Sequence, residues 1–154
     1  MNSGATVQLA KIGPWQFDMP EAWANAGNED ADYFVAPGGE KGLYVKWVAL
    51  PEPKSSARAL AEYLQDVHLR SFNDIRGSNW EIMEREAQEQ NGLVRSVLDM
   101  YDAAACYRVL SFVVCGNRQA IQISVHNYQC TDYFSTRNEF VPLAASIQQT
   151  APMV

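Results

Sequence analysis

Two turn signals in the second half of the chain constrain its fold more than any other feature. Asn91-Gly92 and Gly116-Asn117 each lie between two stretches of strand-like residues. The first pair suits a type I′ turn, in which both central residues need positive φ, and the second suits a type II′ turn, which needs glycine first. The sequence therefore predicts two β-hairpins, and together these give four consecutive antiparallel strands.

A two-residue loop also predicts the register of the second hairpin. Leu110 is expected opposite Ile123, and Phe112 opposite Ile121, all on one face of the sheet. Because these side chains are large and apolar, we expect them to form the central cross-strand ladder of the core.

In the first hairpin, counting residues outward from the two-residue turn brings two carboxylates together. Glu84 is expected directly opposite Asp99, and such a like-charge pair is unfavourable. Either a β-bulge shifts the register, or a cation lies between the two side chains. Of these two arrangements, we favour the bulge.

Apolar spacing predicts two helices. The first has apolar residues spaced by three and four along one face: Leu60, Tyr63, Leu64, Val67 and Phe72. Ser55 or Ser56 is expected as its N-cap, and Gln65 falls on its polar face. The second is expected over 132–148, with Thr131 as N-cap and with a kink or restart at Pro142.

Three short strands are predicted before the first helix, at 15–17, 33–36 and 43–50. The last is apolar on both sides and should be covered on both faces. With 154 residues, the chain 1–154 is expected to form a single domain with its core at about 12–148. The predicted fold class is α+β, an antiparallel sheet of about six to seven strands flanked by two helices.

The charge of the chain is acidic and unevenly distributed. Its net charge is −6, with 12 basic and 18 acidic residues. Residues 1–102 carry 9 basic and 16 acidic side chains, whereas 103–154 carry 3 and 2. Nucleic acid is not expected as a partner, because binding to its backbone requires a basic surface.

Residues 1–15 lack the charged start and apolar core of a signal peptide. A cytoplasmic location is therefore expected, or a periplasmic one if an export signal has been removed. The longest apolar stretches, such as Val109–Cys115 with its interruption at Ser111, are too short for a membrane span, so no membrane insertion is expected. Three cysteines, Cys106, Cys115 and Cys130, are an odd number, which favours reduced thiols buried as small apolar groups.

Three side chains have part of the spacing of a calcium-binding loop. Asn28, Asp30 and Asp32 would occupy its first, third and fifth positions. The sixth position needs glycine and the twelfth glutamate, but the chain has Tyr33 and Gly39 there. A solvated turn is therefore expected, and neither a metal nor another cofactor is predicted.

Tyr107 and His126 form the strongest candidate for proton transfer, because the expected register places them side by side. The pair lacks a nucleophile, a metal or a third group that would orient the imidazole. We therefore favour a structural cross-strand pair and assign no catalytic residue. His68, at the edge of the first helix's apolar stripe, is expected to pack against the sheet.

One tryptophan and two acidic clusters are predicted to bind a partner. Trp23 lies in a loop after Pro20, where an exposed aromatic side chain could anchor an interface. Acidic side chains of one turn and one strand would form its rim: Glu29, Asp30, Asp32, Glu84, Glu86 and Glu89. Such a rim suits a basic protein, an effector or a toxin, because complementary charge speeds association.

Several segments resemble the PsbP-like superfamily. Residues 15–20 (WQFDMP), followed by Ala22-Trp23, are similar to its opening motif, and the strand at 33–35, the strand at 43–50 and the two helices follow in its order. The resemblance covers about residues 12–148 and implies an α/β/α sandwich. The superfamily includes the extrinsic oxygen-evolving subunit of photosystem II, a Ran-binding nuclear-import factor and bacterial chaperones of type VI secretion effectors. It is mostly non-enzymatic, so the resemblance implies a binding role.

Two functions of different classes follow from these observations. The first is a non-enzymatic bacterial protein-binding module, either a chaperone or adaptor for a secreted effector or an immunity protein that neutralises a toxin. The alternative is a small-ligand-binding or hydrolytic protein with a pocket at Tyr107 and His126.

Overall fold

The computed structural model of the protein describes residues 7–27, 32–73 and 79–150. Within them the first half of the chain forms β1 (Val7–Ile12), β2 (Trp15–Pro20), β3 (Ala24–Asn25), β4 (Asp32–Val35), β5 (Lys41–Ala49) and α1 (Ala57–Asn73). The second half forms β6 (Glu81–Gln90), β7 (Leu93–Asp102), β8 (Tyr107–Cys115), β9 (Gln119–Asn127), α2 (Tyr133–Ser146) and β10 (Gln148–Gln149).

Seven strands form an antiparallel sheet in the order β3-β4-β5-β9-β8-β7-β6. One face, the α1 face, carries Val109 and Val113 and is covered by α1. The other, the α2 face, carries Leu110 and Phe112 and is covered by α2 and by the small sheet β1-β2-β10. This architecture confirms the predicted α+β sandwich. In the described ranges, no helix is long and apolar enough to cross a membrane.

The predicted core ladder lies in the centre of the α2 face. Leu110, Phe112, Ile121 and Ile123 are all buried, and Phe112 is the most exposed of them at 8%. Aromatic and aliphatic side chains of β2, α2 and the C-cap of α2 close the core above them: Trp15, Phe17, Phe140, Leu143 and Ile147. The apolar alternation of the hairpin strands therefore identified the face that becomes the main core.

The first hairpin has the predicted turn and register. Asn91 and Gly92 have φ of 55° and 80°, as a type I′ turn requires, and Glu84 lies opposite Asp99. A bulge does occur, between Ile82 and Glu84, but it lies beyond the pair and leaves the two carboxylates opposite each other. The bulge was therefore the wrong choice. A cation, Arg137 of α2, contacts both carboxylates.

The register of the second hairpin differs from the prediction by two residues. Phe112 lies opposite Ile123, whereas the prediction paired it with Ile121. The turn is Asn117-Arg118, so Gly116 is outside it and does not adopt positive φ. Because side chains alternate between faces with a period of two, the shift changes the partners and preserves the faces.

Long-range backbone contacts hold this displaced turn. Leu50 N donates to Arg118 O at 2.8 Å, and Arg118 Nε donates back to Leu50 O at 2.7 Å. Lys54 N also donates to Asn117 O at 2.7 Å. These bonds join the turn to the connection between β5 and α1, and local turn preferences do not include them.

The first helix begins at the predicted cap but turns a different set of side chains inward. Ser56 Oγ accepts a hydrogen bond from Ala59 N at 3.0 Å, which identifies it as the N-cap. Tyr63, expected on the apolar stripe, is 47% exposed, whereas Gln65, expected on the polar face, is fully buried. The face of α1 that packs against the sheet is therefore rotated from the predicted apolar stripe, toward Gln65 and away from Tyr63.

The second helix starts at Tyr133 with Asp132 as its N-cap, in place of the predicted Thr131. Pro142 lies inside it without ending it. Three strands were missed, namely β1, β3 and β10, because each is short or lacks clear alternation. The prediction that β5 is covered on both faces is only partly correct, since Tyr44 and Trp47 are each 41% exposed.

Candidate functional site

The predicted acidic rim lies on β6, the edge strand of the seven-stranded sheet. Side chains of a strand alternate between faces, so Glu84 and Glu86 lie on the α2 face and Glu89 on the α1 face. Glu84 forms an ion pair with Arg137, whereas Glu86 and Glu89 are exposed. The three glutamates therefore do not form one continuous rim, which corrects the prediction.

A groove of about 340 Å³ lies between α2 and the β6 edge of the sheet. We call it the α2 groove. Its floor includes Val97, Phe112 and Val114, and its helical wall includes Val141 and Ala144. On the β6 side it is lined by polar residues: Glu86, Gln88 and Gln90. The groove thus combines an apolar interior with an acidic and amide-bearing margin.

Arg95 of β7 lines this groove and fixes the end of α2. Its Nη1 donates to Ala144 O at 3.1 Å and its Nη2 donates to Ile147 O at 2.6 Å. Burial lowers the pKa of Arg95 below its ordinary value. A cation at this position adds hydrogen bonds to two carbonyl groups at the end of α2 and interacts favourably with the helix dipole.

A fully buried ion pair lies farther along the α2 face. Arg108 Nε donates to Asp99 Oδ1 at 3.0 Å, and Arg108 Nη2 donates to Asp99 Oδ2 at 2.6 Å. Tyr133 Oη donates to the same carboxylate at 2.6 Å, and Arg137 Nη1 lies 3.5 Å from it. The carboxylate therefore ties β7 and β8 to the first turns of α2.

The other residues predicted to bind a partner are dispersed. Trp23 is only 7% exposed and packs edge-to-face on Phe140, with ring centroids 5.8 Å apart. The expectation of an exposed anchor is wrong, because the α2-face core buries this ring. Asp32 is exposed at the start of β4, near the opposite sheet edge from β6. Glu29 and Asp30 lie outside the described residues.

Tyr107 and His126 are in contact as predicted, although the shifted register makes the contact diagonal. Tyr107 Oη lies 2.6 Å from His126 Nδ1, while the direct strand partner of His126 is Val109. Burial, and then the charge of His68, lowers the pKa of His126 to about 3. Burial also raises the pKa of Tyr107 to about 12. Both side chains are therefore neutral at pH 7.

Ser124 extends this contact into a line of three side chains. Its Oγ lies 3.3 Å from His126 Nε2. The order serine, histidine, tyrosine resembles that of a catalytic triad, but a neutral phenol stands where a triad has a carboxylate. An imidazole with a pKa of about 3 is also a weak base. The arrangement gives little support to proton transfer.

A second cleft, of about 240 Å³, lies between α1 and strands β5 and β9. We call it the α1 cleft. Two cross-strand pairs form its floor, Tyr44 with Ser124 and Lys46 with Gln122. Residues of α1 form its wall: Leu64, Val67, His68 and Ser71. The cleft therefore shares Ser124 with the Tyr107 and His126 contact.

A neutral hydrogen-bond network lies beneath the α1 cleft and centres on Ser111. Ser111 Oγ donates to Gln65 Oε1 at 2.8 Å and accepts from Gln122 Nε2 at 3.0 Å. His68 Nδ1 lies 2.9 Å from the same hydroxyl. Burial, and then the charge of Lys46, lowers the pKa of His68 to about 4. His68 thus packs against the sheet, as predicted.

This network was not predicted from the sequence, although one signal was present. Ser111 is the polar residue that interrupts the apolar stretch of β8, and a buried hydroxyl of this kind needs partners.

Cys115 and Cys130 are buried as predicted, but Cys106 is exposed, in the turn between β7 and β8. The described residues contain no group of three or more side chains that could hold a metal ion.

The chain matches no family model and no curated protein. Among solved structures it is similar to the solution structure of cyanobacterial PsbP (CyanoP) from Synechocystis sp. PCC 6803, with a TM-score of 0.70. The match covers 96% of this chain and 94% of that chain at 16% sequence identity. Likeness at this identity concerns the backbone arrangement. The chain therefore has the PsbP-like fold that its sequence resembles.

Proposed function

We propose that the protein is a non-enzymatic, cytoplasmic protein-binding module, a chaperone or adaptor for a secreted effector or an immunity protein. Its partner presents an extended segment in which basic and apolar residues alternate. One observation carries the proposal: the acidic edge strand β6 lies directly beside the apolar α2 groove. An added strand would satisfy the edge, and its apolar side chains would enter the groove.

The backbone of β6 is arranged for such pairing. In an antiparallel hairpin with a two-residue turn, pairs with and without hydrogen bonds alternate away from the turn. By this alternation, the N–H and C=O groups of Arg85, Ala87 and Glu89 point away from β7. Arg58 Nη1, which approaches Ala87 O at 3.4 Å, supports this direction. Within the ranges that the structure describes, the contact that a partner strand would displace is this long one to Ala87 O.

The charges of β6 favour a basic partner over a second copy of the chain. Glu86 borders the α2 groove and Glu89 is exposed on the other face, so both margins of an added strand would meet a carboxylate. Two β6 edges would repel each other, which is a common protection of edge strands against self-pairing. The same repulsion selects partners with lysine or arginine.

The hydrolytic alternative at Tyr107 and His126 has less support. The imidazole is weakly basic and buried, and its partners are a phenol and a serine hydroxyl. In contrast, the β6 edge and the α2 groove are accessible and adjacent. Recovery of a stoichiometric protein partner would also favour the binding role.

Strand addition is tested with a short synthetic peptide in which lysine and valine alternate. We expect saturable binding, and slower hydrogen exchange of the outward amides of Arg85 and Glu89. A matched peptide of alternating glutamate and valine should bind at least about tenfold more weakly, because its charges are repelled. Binding without protection of these two amides would contradict strand addition.

A pair of variants separates backbone pairing from charge. Glu89→Pro removes an outward N–H that β7 does not use, so the fold should survive while an added strand loses a hydrogen bond. Glu89→Ala removes the same charge and keeps the N–H. We expect the native partner, recovered from cell extract, to bind the alanine variant and to be lost from the proline variant. Equal binding by both would exclude this edge.

A further inference from the structure

Among the described residues, the α1 cleft carries a positive charge that has no ion-pair partner, although the protein is acidic. Its lining residues include Lys46 and no acidic side chain, although the chain has a net charge of −6. Lys41, five residues earlier on β5, forms an ion pair with Glu139 at 2.6 Å. Across residues 7–27, 32–73 and 79–150, Lys46 forms no ion pair. The cleft therefore offers a cation to an anionic ligand.

The hydrogen bonds of Ser111 determine which nitrogen of His68 carries its proton. Ser111 Oγ has one hydrogen atom and donates it to Gln65 Oε1, so the contact at 2.9 Å requires that His68 Nδ1 be the donor. Gln65 cannot be turned around, since its Nε2 donates to Ser111 O at 3.0 Å. Neutral His68 therefore has an unprotonated Nε2.

His68 lines the wall of the cleft, and its Nε2 is available as an acceptor. In the part of the chain that the structure describes, no hydrogen bond reaches His68 Nε2. Nδ1 donates to Ser111 Oγ, and Gln122 Nε2, itself a donor, lies 3.5 Å from the protonated Nδ1 without bonding to it. The cleft consequently presents a cation on Lys46, an acceptor on His68, and apolar contact area from Leu64 and Val67. Its volume of about 240 Å³ is below the usual range of roughly 300–1,000 Å³ for drug-sized ligands, which limits it to small molecules.

We propose that the α1 cleft binds a small hydroxy-carboxylic acid. The carboxylate pairs with Lys46, the hydroxyl donates to His68 Nε2, and the apolar body lies against Leu64 and Val67. This site lies on the α1 face, away from the α2 groove, so it is independent of partner binding at β6.

Two hydroxy acids serve as probes, mandelate and 4-hydroxybenzoate, which place the hydroxyl near to and far from the carboxylate. Benzoate lacks the hydroxyl, and benzyl alcohol lacks the charge. Binding is followed by NMR, from the amide signals of Gln122 and Ser71 and from the ring nitrogens of His68. We expect saturable binding of at least one hydroxy acid, weaker binding of benzoate, and a shift of Nε2 with Nδ1 still protonated.

Two variants show which residue binds the carboxylate of the ligand and which binds its hydroxyl. Lys46→Met should weaken hydroxy-acid binding by at least about tenfold, the effect of a lost charge-assisted hydrogen bond, while Lys11→Met on β1 serves as control and leaves it unchanged. His68→Asn keeps a donor for Ser111 and removes Nε2. It should reduce the affinity of the hydroxy acid to that of benzoate and leave benzoate unaffected.

Three results would overturn the proposal. The first is the absence of a saturable shift with either hydroxy acid up to the solubility limit. The second is equal weakening by Lys46→Met and Lys11→Met, which would indicate attraction to the surface in general. The third is undiminished preference for the hydroxy acid in His68→Asn. Retained binding of the lysine–valine peptide in all variants would show that the β6 surface is unaffected.

Discussion

Beneath α2 the sheet buries an ion pair, Asp99 with Arg108, whereas beneath α1 it buries neutral polar groups around Ser111. The charged pair is sealed, since both side chains are fully buried. The neutral network reaches the α1 cleft through His68 and Gln122. Beneath α2, the buried charges join two strands to a helix, whereas beneath α1 the buried polar groups next to the cleft are neutral.

The physical chemistry of burial explains this division. A buried charge is strongly unfavourable unless its partner remains in place, so such a pair specifies one arrangement of β7, β8 and α2. Neutral donors and acceptors tolerate exchange of partners with water or a ligand at smaller free-energy changes. The α1 face is for this reason the better place for a small-molecule site.

Removal of one member of the ion pair should have the largest effect. Arg108→Met leaves the Asp99 carboxylate buried without its main partner, and we expect a loss of about 3–5 kcal/mol in the free energy of unfolding. Urea titration at pH 7 measures this. The double variant Asp99→Leu, Arg108→Met should lie within about 1 kcal/mol of the wild type, because no unpaired charge remains. A double variant as unstable as the single one would show that packing dominates.

Mild acid should lower the free energy of unfolding, because two buried histidines lie on the α1 face. Burial lowers the pKa of His68 to about 4 and that of His126 to about 3, whereas unfolded histidine titrates near 6.5. Below about pH 6.5 the unfolded chain binds more protons than the folded chain does. The stability that these histidines contribute is fully present above this pH, and it is lost as the pH falls toward their pKa values in the folded protein. We expect a decrease of about 2 kcal/mol in the free energy of unfolding between about pH 6.5 and 5.5.

A variant identifies the groups responsible for this pH dependence. In the double variant His68→Asn, His126→Gln, urea titrations over the same range should give a nearly constant free energy of unfolding. An undiminished decrease would assign the titration to carboxylates and would refute the role of the two histidines.

Loss of the buried amide should have a smaller effect than loss of the buried charge. Gln65→Leu removes partners of Ser96, Ser111 and Gln122, and we expect a destabilisation of about 1–3 kcal/mol. Gln88→Leu on exposed β6 is the matched control and should change stability by less than about 0.5 kcal/mol. Equal effects would mean that the network contributes nothing specific.

The smallest effect is expected at the partly exposed ion pair of α2. Arg137→Gln leaves Glu84 opposite Asp99 without its cation and should destabilise by about 1 kcal/mol. Adding Glu84→Gln should restore most of this loss, as measured in a double-mutant cycle. Additive losses in the cycle would show that Arg137 does not shield the two carboxylates from each other.

The two hairpins show which local signals were sufficient. At Asn91-Gly92 both positive φ values are intrinsic to the residues, and the predicted register holds along the strand to Glu84. At Gly116-Asn117 a glycine signal of similar kind was overruled, because Arg118 is bound through its backbone and side chain to Leu50. The conformational preference of a turn residue contributes less free energy than several hydrogen bonds to a distant segment of the chain.

The candidate sites were less predictable than the fold. The contact between Tyr107 and His126 was anticipated, since it depends on alternation within one hairpin. Trp23 and Gln65 were assigned to the wrong environment, because each lies near the boundary between surface and core. Burial at such a boundary depends on what packs above it, namely α2 for the tryptophan and the sheet for the amide.

The sequence by itself determined the periodic properties of this protein: the faces of the strands, the helical stripes, the first turn and the acidity of β6. These follow from the geometry of single residues and their near neighbours. Only the tertiary structure decided the strand partners in the second hairpin, the small sheet and the cation between Glu84 and Asp99. It also decided the α2 groove and the α1 cleft. Each of these depends on contacts between residues distant in the chain, whose relative positions exist only after the layers have packed together.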